Sequence, residues 1–227
     1  MAQRANVIVT GSAKGSKSAW IATQALLGLY GVNAKFFHPE QWNKNQKMDG
    51  LLITGGIDID PQTFHTANHH SIHKTDQLRD AMELYLLQRA YSENIPIMGI
   101  CRGMQLINLF MGGTIHPHIP DIHLEFTHPN SLFPSNKLTI IPKTRLHKTL
   151  RTNTLKVNAL HHQTLNKLGK GLTIAAKDKN ALIQAVESSN EHFVLGVQWH
   201  PEFMPYHWST HRIFKTFALE AKKHLFG

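Results

Sequence analysis

A short apolar run, Ile97–Ile100, leads straight into Cys101, and the residues after it place Met104, Leu106, Ile107 and Phe110 at helical spacing. Gly99 and Gly103 flank the cysteine symmetrically. A chain that turns from strand to helix at one residue needs a sharp, strained corner, and flanking side chains larger than hydrogen would collide there. Such a corner lifts its central side chain above the strand ends, and the start of the helix favours a thiolate at that point. The competing reading is a cysteine buried in the core, the common fate of a free thiol. Under that reading the symmetrical glycines have no packing reason.

The rest of the first half fits such a corner. Val7–Thr10, Asn33–His38, Gly50–Thr54 and Ile97–Ile100 read as strands, with Ser18–Tyr30 and Asp76–Tyr91 as helices among them. The first helix is expected to turn Ile21, Ala25, Leu26 and Leu29 inward and to stop at Gly31, the second to bury Leu78, Met82 and Leu86. Strands alternating with helices imply a parallel sheet covered on both faces. From Gly112 to Thr154 the chain is rich in Pro, His, Asn and Ser and shows little periodicity. Leu155–Leu160, Leu172–Ala176, Leu182–Glu187 and Phe193–Trp199 then read as strands joined by short turns, antiparallel additions to the sheet's edge. Ser209–Leu225 closes the chain as an amphipathic helix with Ile213, Phe214, Phe217 and Ala221 inward. The expectation is one α/β domain over 1–227, doubly wound and mostly parallel with antiparallel edge strands.

Composition narrows the chemistry. The 227 residues include one cysteine, 17 histidines, 24 Lys+Arg and 15 Asp+Glu, a formal charge of +9. A single cysteine excludes an intrachain disulfide, a cysteine-rich zinc site and a dithiol redox pair. The positive charge favours anionic partners, among them acidic metabolites. The apolar run Val7–Thr10 ends at Gly11, short of a signal peptide's apolar region, and no segment approaches the ~18 apolar residues of a membrane span. A cytoplasmic location without a membrane partner is expected.

A thiol nucleophile needs a base, and the sequence around 197–202 selects one. A strand ending near Trp199 delivers His200, and Pro201 biases that histidine toward extended geometry, in which residues two apart project to the same side. Glu202 can then hold one imidazole nitrogen and leave the other facing the thiol. Taken alone, this tripeptide also suits a surface turn. Leu51–Thr54 runs into Gly55-Gly56, where backbone N–H groups can face an anion; with the N–H of Arg102 they would make a pair of oxyanion donors. Asp58 and Asp60 suit turn-formers better than metal ligands.

These segments, in this order, resemble the class I glutamine amidotransferase-like superfamily, and within it the γ-glutamyl hydrolases of peptidase family C26. The match looks like the bacterial γ-glutamyl-γ-aminobutyrate hydrolase branch. It rests on 55–61 (Gly-Gly-Ile-Asp-Ile-Asp-Pro), 99–105 (Gly-Ile-Cys-Arg-Gly-Met-Gln), 112–114 (Gly-Gly-Thr), 161–163 (His-His-Gln) and 196–202 (Gly-Val-Gln-Trp-His-Pro-Glu), with Asp76, Arg79 and Asp80 between them. The resemblance implies a flavodoxin-like fold and a catalytic triad of Cys101, His200 and Glu202. It further implies an oxyanion hole at Gly56 and Arg102, and a small-molecule γ-glutamyl substrate touching Gly55, Gln105, Gln163 and one or other of His161 and His162. It implies no cofactor, and a homodimer is compatible with it. Ile115-His116-Pro117-His118 departs from the Tyr-Gln-Asp-like stretch such hydrolases often carry there. A glutaminase feeding ammonia to a synthase, and a non-catalytic binding protein of this fold, are the alternatives.

Three further features invite other functions. In Gly11–Ser18 the second glycine falls one residue early for a phosphate-binding P-loop, and a loop capped by Ser18 is preferred. His65, His69 and His73 would share a helical face with His70 nearby, but no acid is placed predictably beside them, so no metal site is assigned. Lys137, Lys143, Arg145, Lys148, Arg151 and Lys156 lack interleaved aromatics and read as solvated surface rather than a nucleic-acid site.

Overall fold

The computed structural model describes residues 3–15, 17–64, 67–72 and 74–227. Its strands are β1 (Asn6–Thr10), β2 (Asn33–Phe37), β3 (Gly50–Ile53), β4 (Ile97–Ile100), β5 (Ile115–His116), β6 (Ser131–Ile140), β7 (Thr154–Ala159), β8 (Thr164–Leu165), β9 (Leu172–Asp178), β10 (Ile183–Ser188) and β11 (Val194–Val197). The helices are α1 (Lys17–Leu29), α2 (Gln77–Ser92), α3 (Arg102–Phe110), α4 (Arg145–Leu150) and α5 (Trp208–Phe226). Nine strands form one sheet in the order β2-β1-β3-β4-β11-β10-β9-β6-β7, and β5 pairs with β8 in a small second sheet. Pairing is parallel from β2 to β11 and antiparallel from β11 to β7. The five parallel strands thus have the flavodoxin-like order, and the expected α/β architecture with an antiparallel extension is the one observed.

Alternation along the strands divides the core between two faces. Val7, Val9, Leu52 and Ile100 pack with Leu26, Leu27, Phe214 and Phe217 on the side of α1 and α5. Ile8, Leu51, Ile53 and Ile97 pack with Met82, Leu86, Leu106 and Ile107 on the side of α2 and α3. Every residue of β3, β4 and β11 is buried, as a strand covered on both faces requires. The carboxyl ends of these strands form the crevice where such sheets place their ligands.

The helical faces depart from expectation. In α1 the inward residues are Thr23, Leu26 and Leu27, whereas Ile21, Ala25 and Leu29 are exposed, because the helix turns Leu26's flank toward β2 and α5. In α2, Met82 and Leu86 are buried, but Leu78 is 73% exposed and Arg79, Asp80 and Glu83 take the inward positions. An ion network beneath the elbow draws those charges in. Helix α1 starts at Lys17, so Ser18 lies inside its first turn and is not its cap. The stretch from Gly112 to Thr154 contains a ten-residue strand and a short helix. In β6, Asn136, Leu138 and Ile140 are buried and Lys137 and Thr139 exposed, an alternation that the inward Asn136 obscures. Of the basic stretch, Arg145 is not merely solvated: it bonds Ser188 and the carbonyls of Asn190 and His192 and lies over the Phe193 ring.

Among the described residues no helix is long and apolar enough to cross a membrane. Phe217 is fully buried between α5 and the sheet, so Phe217→Ala is expected to lower unfolding free energy by about 3–5 kcal/mol in chemical denaturation. Leu219→Ala, on the half-exposed side of the same helix, should change it by less than about 0.5 kcal/mol.

Candidate active site

Cys101 sits at the corner between β4 and α3 with φ 52° and ψ −108°, a left-handed backbone that a non-glycine residue adopts only under constraint. The constraint is visible at both glycines. A Cβ at Gly103 would lie 2.2 Å from the Ile53 carbonyl oxygen, and one at Gly99 2.6 Å from the Gly103 backbone. The Cys101 N–H donates to the Val197 carbonyl at 2.7 Å, tying the corner to β11.

Strand β11 runs parallel to β4 and carries the chain past Cys101 to His200. The His200 backbone is held twice by Asn158, its N–H donating to Oδ1 at 2.8 Å and its carbonyl accepting from Nδ2 at 2.9 Å. Phe203 stacks on the ring at 5.3 Å. Nδ1 of His200 is 2.8 Å from Glu202 Oε1, and the imidazole lines the same pocket as Cys101. Burial disfavours the imidazolium, but the charges of Cys101 and Glu202 outweigh it and hold the His200 pKa well above 6.5. Gln198 donates to the Cys101 sulfur at 3.5 Å and accepts from Gln105 at 3.3 Å. Gln105 is therefore buried behind the thiol and does not line the pocket that Cys101 opens into. Sequence reasoning misses Asn158, Gln198 and Phe203, whose roles depend on contacts distant along the chain.

The Gly55-Gly56 turn faces this pair. A Cβ at Gly55 would fall 2.5 Å from His200 Cε1, and one at Gly56, where φ is +151°, 2.2 Å from an Arg79 guanidinium nitrogen. Arg79 donates to the carbonyls of Thr54 at 2.9 Å and Gly55 at 3.1 Å. In a trans peptide the N–H of Gly56 points opposite to the Gly55 carbonyl, hence away from Arg79. The N–H of Arg102 belongs to the first turn of α3, where no intrahelical acceptor exists. The Arg102 side chain runs the other way, paired with Asp80 and Glu83. Glu83 also binds Arg79 at 2.8 Å and accepts from Thr10 Oγ1 at 2.7 Å. Burial would push its pKa up, yet the two guanidinium groups hold it below the usual carboxylate range. The sequence does not single out Glu83; its only pointer is that an arginine directly behind the elbow needs a counter-charge.

These groups surround a pocket of about 300 Å³ lined by Ser12, Lys14, Gly55, Gly56, Leu160 and the Cys101–His200–Glu202 set. The loop rejected as a nucleotide site thus forms one wall. His161 and His162 line a neighbouring cavity of about 640 Å³ with Ile119, Ile122, Leu124 and Phe126, and Leu160 belongs to both. His161 bonds the Gln163 carbonyl at 2.8 Å, and burial, followed by the nearby charge of His128, lowers its pKa to about 3. His162 turns outward to Asp58 at 3.1 Å, and Gln163 itself is buried. Asp60 accepts from the Gln62 N–H, Thr75 and Gln77, the turn-forming role expected of it.

An elbow cysteine beside a carboxylate-bound histidine, at the carboxyl ends of the parallel strands β2-β1-β3-β4-β11, defines the class I glutamine amidotransferase-like superfamily. The sequence profile described as Peptidase C26 matches residues 39–202, and the chain belongs to that family. A Mycobacterium tuberculosis protein provisionally named a glutamine amidotransferase is 38% identical over 157 residues, 68% of this chain and 51% of that one. The chain thus spans about half the length of that relative. The glutamine amidotransferase-like protein RP404 of Rickettsia prowazekii, again a provisional name, is 33% identical over 202 residues, 69% of this chain and 71% of its own. The gamma-glutamyl-gamma-aminobutyrate hydrolase of Escherichia coli O157:H7 is 27% identical over 194 residues, 79% and 74% of the two chains. Among solved structures, a Thermoplasma acidophilum protein provisionally assigned to GMP synthase superposes with a TM-score of 0.71 at 18% identity, covering 99% of this chain and 98% of its own. That similarity concerns the fold.

Two outcomes follow from the electrostatics. In an NMR titration His200 should titrate above pH 6.5, and Glu202→Gln should move its midpoint down by removing one of the charges that raise it, while His161 stays neutral to below pH 4. Glu83→Gln leaves two buried guanidinium groups short of a partner and is expected to cost about 3–5 kcal/mol in chemical denaturation.

Proposed function

We propose that this protein is a cysteine-dependent hydrolase of γ-glutamyl amides that acts through a γ-glutamyl thioester. The observation that carries the proposal is the strained Cys101 corner sharing one pocket with His200, itself bonded to Glu202, and with the Gly55-Gly56 turn. The Cys101 thiolate attacks the amide carbonyl carbon, and the oxyanion is received by the N–H groups of Gly56 and Arg102. The C–N bond then breaks as His200 gives its proton to the departing amine. Water next adds to the thioester, His200 takes its proton, the C–S bond breaks, and glutamate leaves with the thiolate restored. Glu202 fixes which imidazole nitrogen faces the sulfur.

The two cavities suggest how substrate is divided. Lys14 and Ser12 in the smaller pocket suit the α-carboxylate of a γ-glutamyl group, and the neighbour beyond Leu160, with Ile119, Ile122, Leu124 and Phe126 on one part of its wall and Glu125, His128 and Asn130 on another, suits the body of the leaving amine. The E. coli relative's name supports a γ-glutamyl substrate, at an identity too low to carry over its amine.

The test is turnover of a panel of γ-glutamyl amides, glutamine included, by the isolated protein, with mass spectrometry of the trapped acyl-enzyme. Cys101→Ala should abolish release of glutamate and adduct alike, and Lys14→Ala should raise KM about tenfold with kcat little changed. Full activity in Cys101→Ala, or activity appearing only when a synthase is added, overturns the reading.

A further inference from the structure

The loop after Gly55-Gly56 and the segment after β5 converge on one another. His69 and His70 of the first meet Asp121 of the second, with one ligand atom of each within 4.8 Å of the others. His69 Nε2 stands 3.1 Å from Asp121 Oδ2, and the rings of His69 and His70 lie 4.2 Å apart. Ligands held about 2.0–2.1 Å from a tetrahedral zinc ion stand roughly 3.3 Å from one another, so the His69–Asp121 pair is already at ligand spacing. The Nδ1 of His69 is 2.8 Å from the Ser71 hydroxyl, which donates to the Pro117 carbonyl at 3.0 Å. Such an outer hydrogen bond fixes which nitrogen of a ligating imidazole faces a metal. Asp121 is positioned by a turn whose Ile119 N–H donates to the His162 carbonyl at 2.7 Å. His118 lies 6.3 and 6.0 Å from the two rings, its buried Nδ1 without a partner among the described residues.

We infer that His69, His70 and Asp121 form a binding site for a divalent transition-metal cation of the zinc class. Two imidazoles and one carboxylate select zinc, cobalt or nickel over magnesium or calcium, which take oxygen ligands. The acid that the local sequence lacks comes from some fifty residues downstream. His65 and His73, the other members of the spacing read from sequence, lie outside the described residues. A bound cation would fasten the loop that carries Ile57, a wall of the small pocket, to the segment that carries Ile119 and Ile122, walls of the large one. It would brace the cleft without touching the thiol.

The test uses the full chain, untagged and chelator-stripped, in a Cys101→Ala background so that the thiolate cannot ligate. Titration with Zn²⁺ by calorimetry, and with Co²⁺ by visible absorption, is expected to show one equivalent bound and a rise in Tm. His70→Ala and Asp121→Asn should each weaken binding at least about tenfold, while His147→Ala, on α4, leaves it unchanged. Absence of saturable binding, or equal affinity in all variants, overturns the inference. Neither outcome bears on the hydrolase reading, which Cys101 chemistry decides separately.

Discussion

Four buried charges, Arg79, Asp80, Glu83 and Arg102, hold the Cys101 end of this sheet together. Glu83 alone accepts from Arg79, Arg102 and Thr10, so it joins α2, the start of α3 and the end of β1. Arg79 carries the same network to the backbone at Thr54 and Gly55, and Asp80 accepts from the Asp60 N–H at 2.8 Å, anchoring the loop that follows. A buried ion cluster is a poor source of net stability, because desolvation consumes most of the Coulombic gain. Its use here is directional. Two guanidinium planes fix the peptide at Gly55-Gly56 and the first turn of α3, the two places from which the proposed reaction draws its oxyanion donors, and they do so from below, leaving the pocket side free.

This network also explains where the sequence is legible and where it is not. The elbow can be read because its signal is local: two residues either side of Cys101 only glycine fits, since a Cβ would stand 2.2 Å from Ile53 at Gly103 and 2.6 Å from Gly103 at Gly99. The parallel strands can be read because continuous burial makes them continuously apolar. Helix α2 misleads because periodicity counts apolar residues, and its inward face is partly charged; the pattern gives Leu78 a place that Arg79 and Glu83 occupy. The same failing hides β6, where Asn136 takes an inward position that the pattern reserves for an apolar side chain. Gln105 shows a subtler limit. Its motif position suggests a substrate contact, but the structure places it behind Gln198, so it supports the thiol at one remove.

Histidine is the residue type for which sequence carries least, since 17 of them differ only in surroundings. His200 and His161 show how far surroundings separate them. Both lose solvation by burial, which disfavours the charged ring. At His200 the charges of Cys101 and Glu202 reverse that effect and raise its pKa. At His161 the neighbouring charges come from His128, His200 and His162, all of the same sign, so they add to burial and the proton is expelled. Similar burial thus leaves one ring's pKa raised and the other's lowered to about 3.

The opposition between the two rings is self-consistent. A positive His200 is one reason His161 stays neutral, and a neutral His161 spares His200 a like charge that would lower its pKa. Leu160, directly before His161, is the wall shared by both cavities. The antiparallel edge therefore does more than extend the sheet. Asn158, at the end of β7, fixes the His200 backbone, and two residues later the same segment separates the thiol's pocket from the space beside it. A strand legible in the sequence thus sets both the placement of His200 and the shape of the cleft around it, through contacts the sequence does not show.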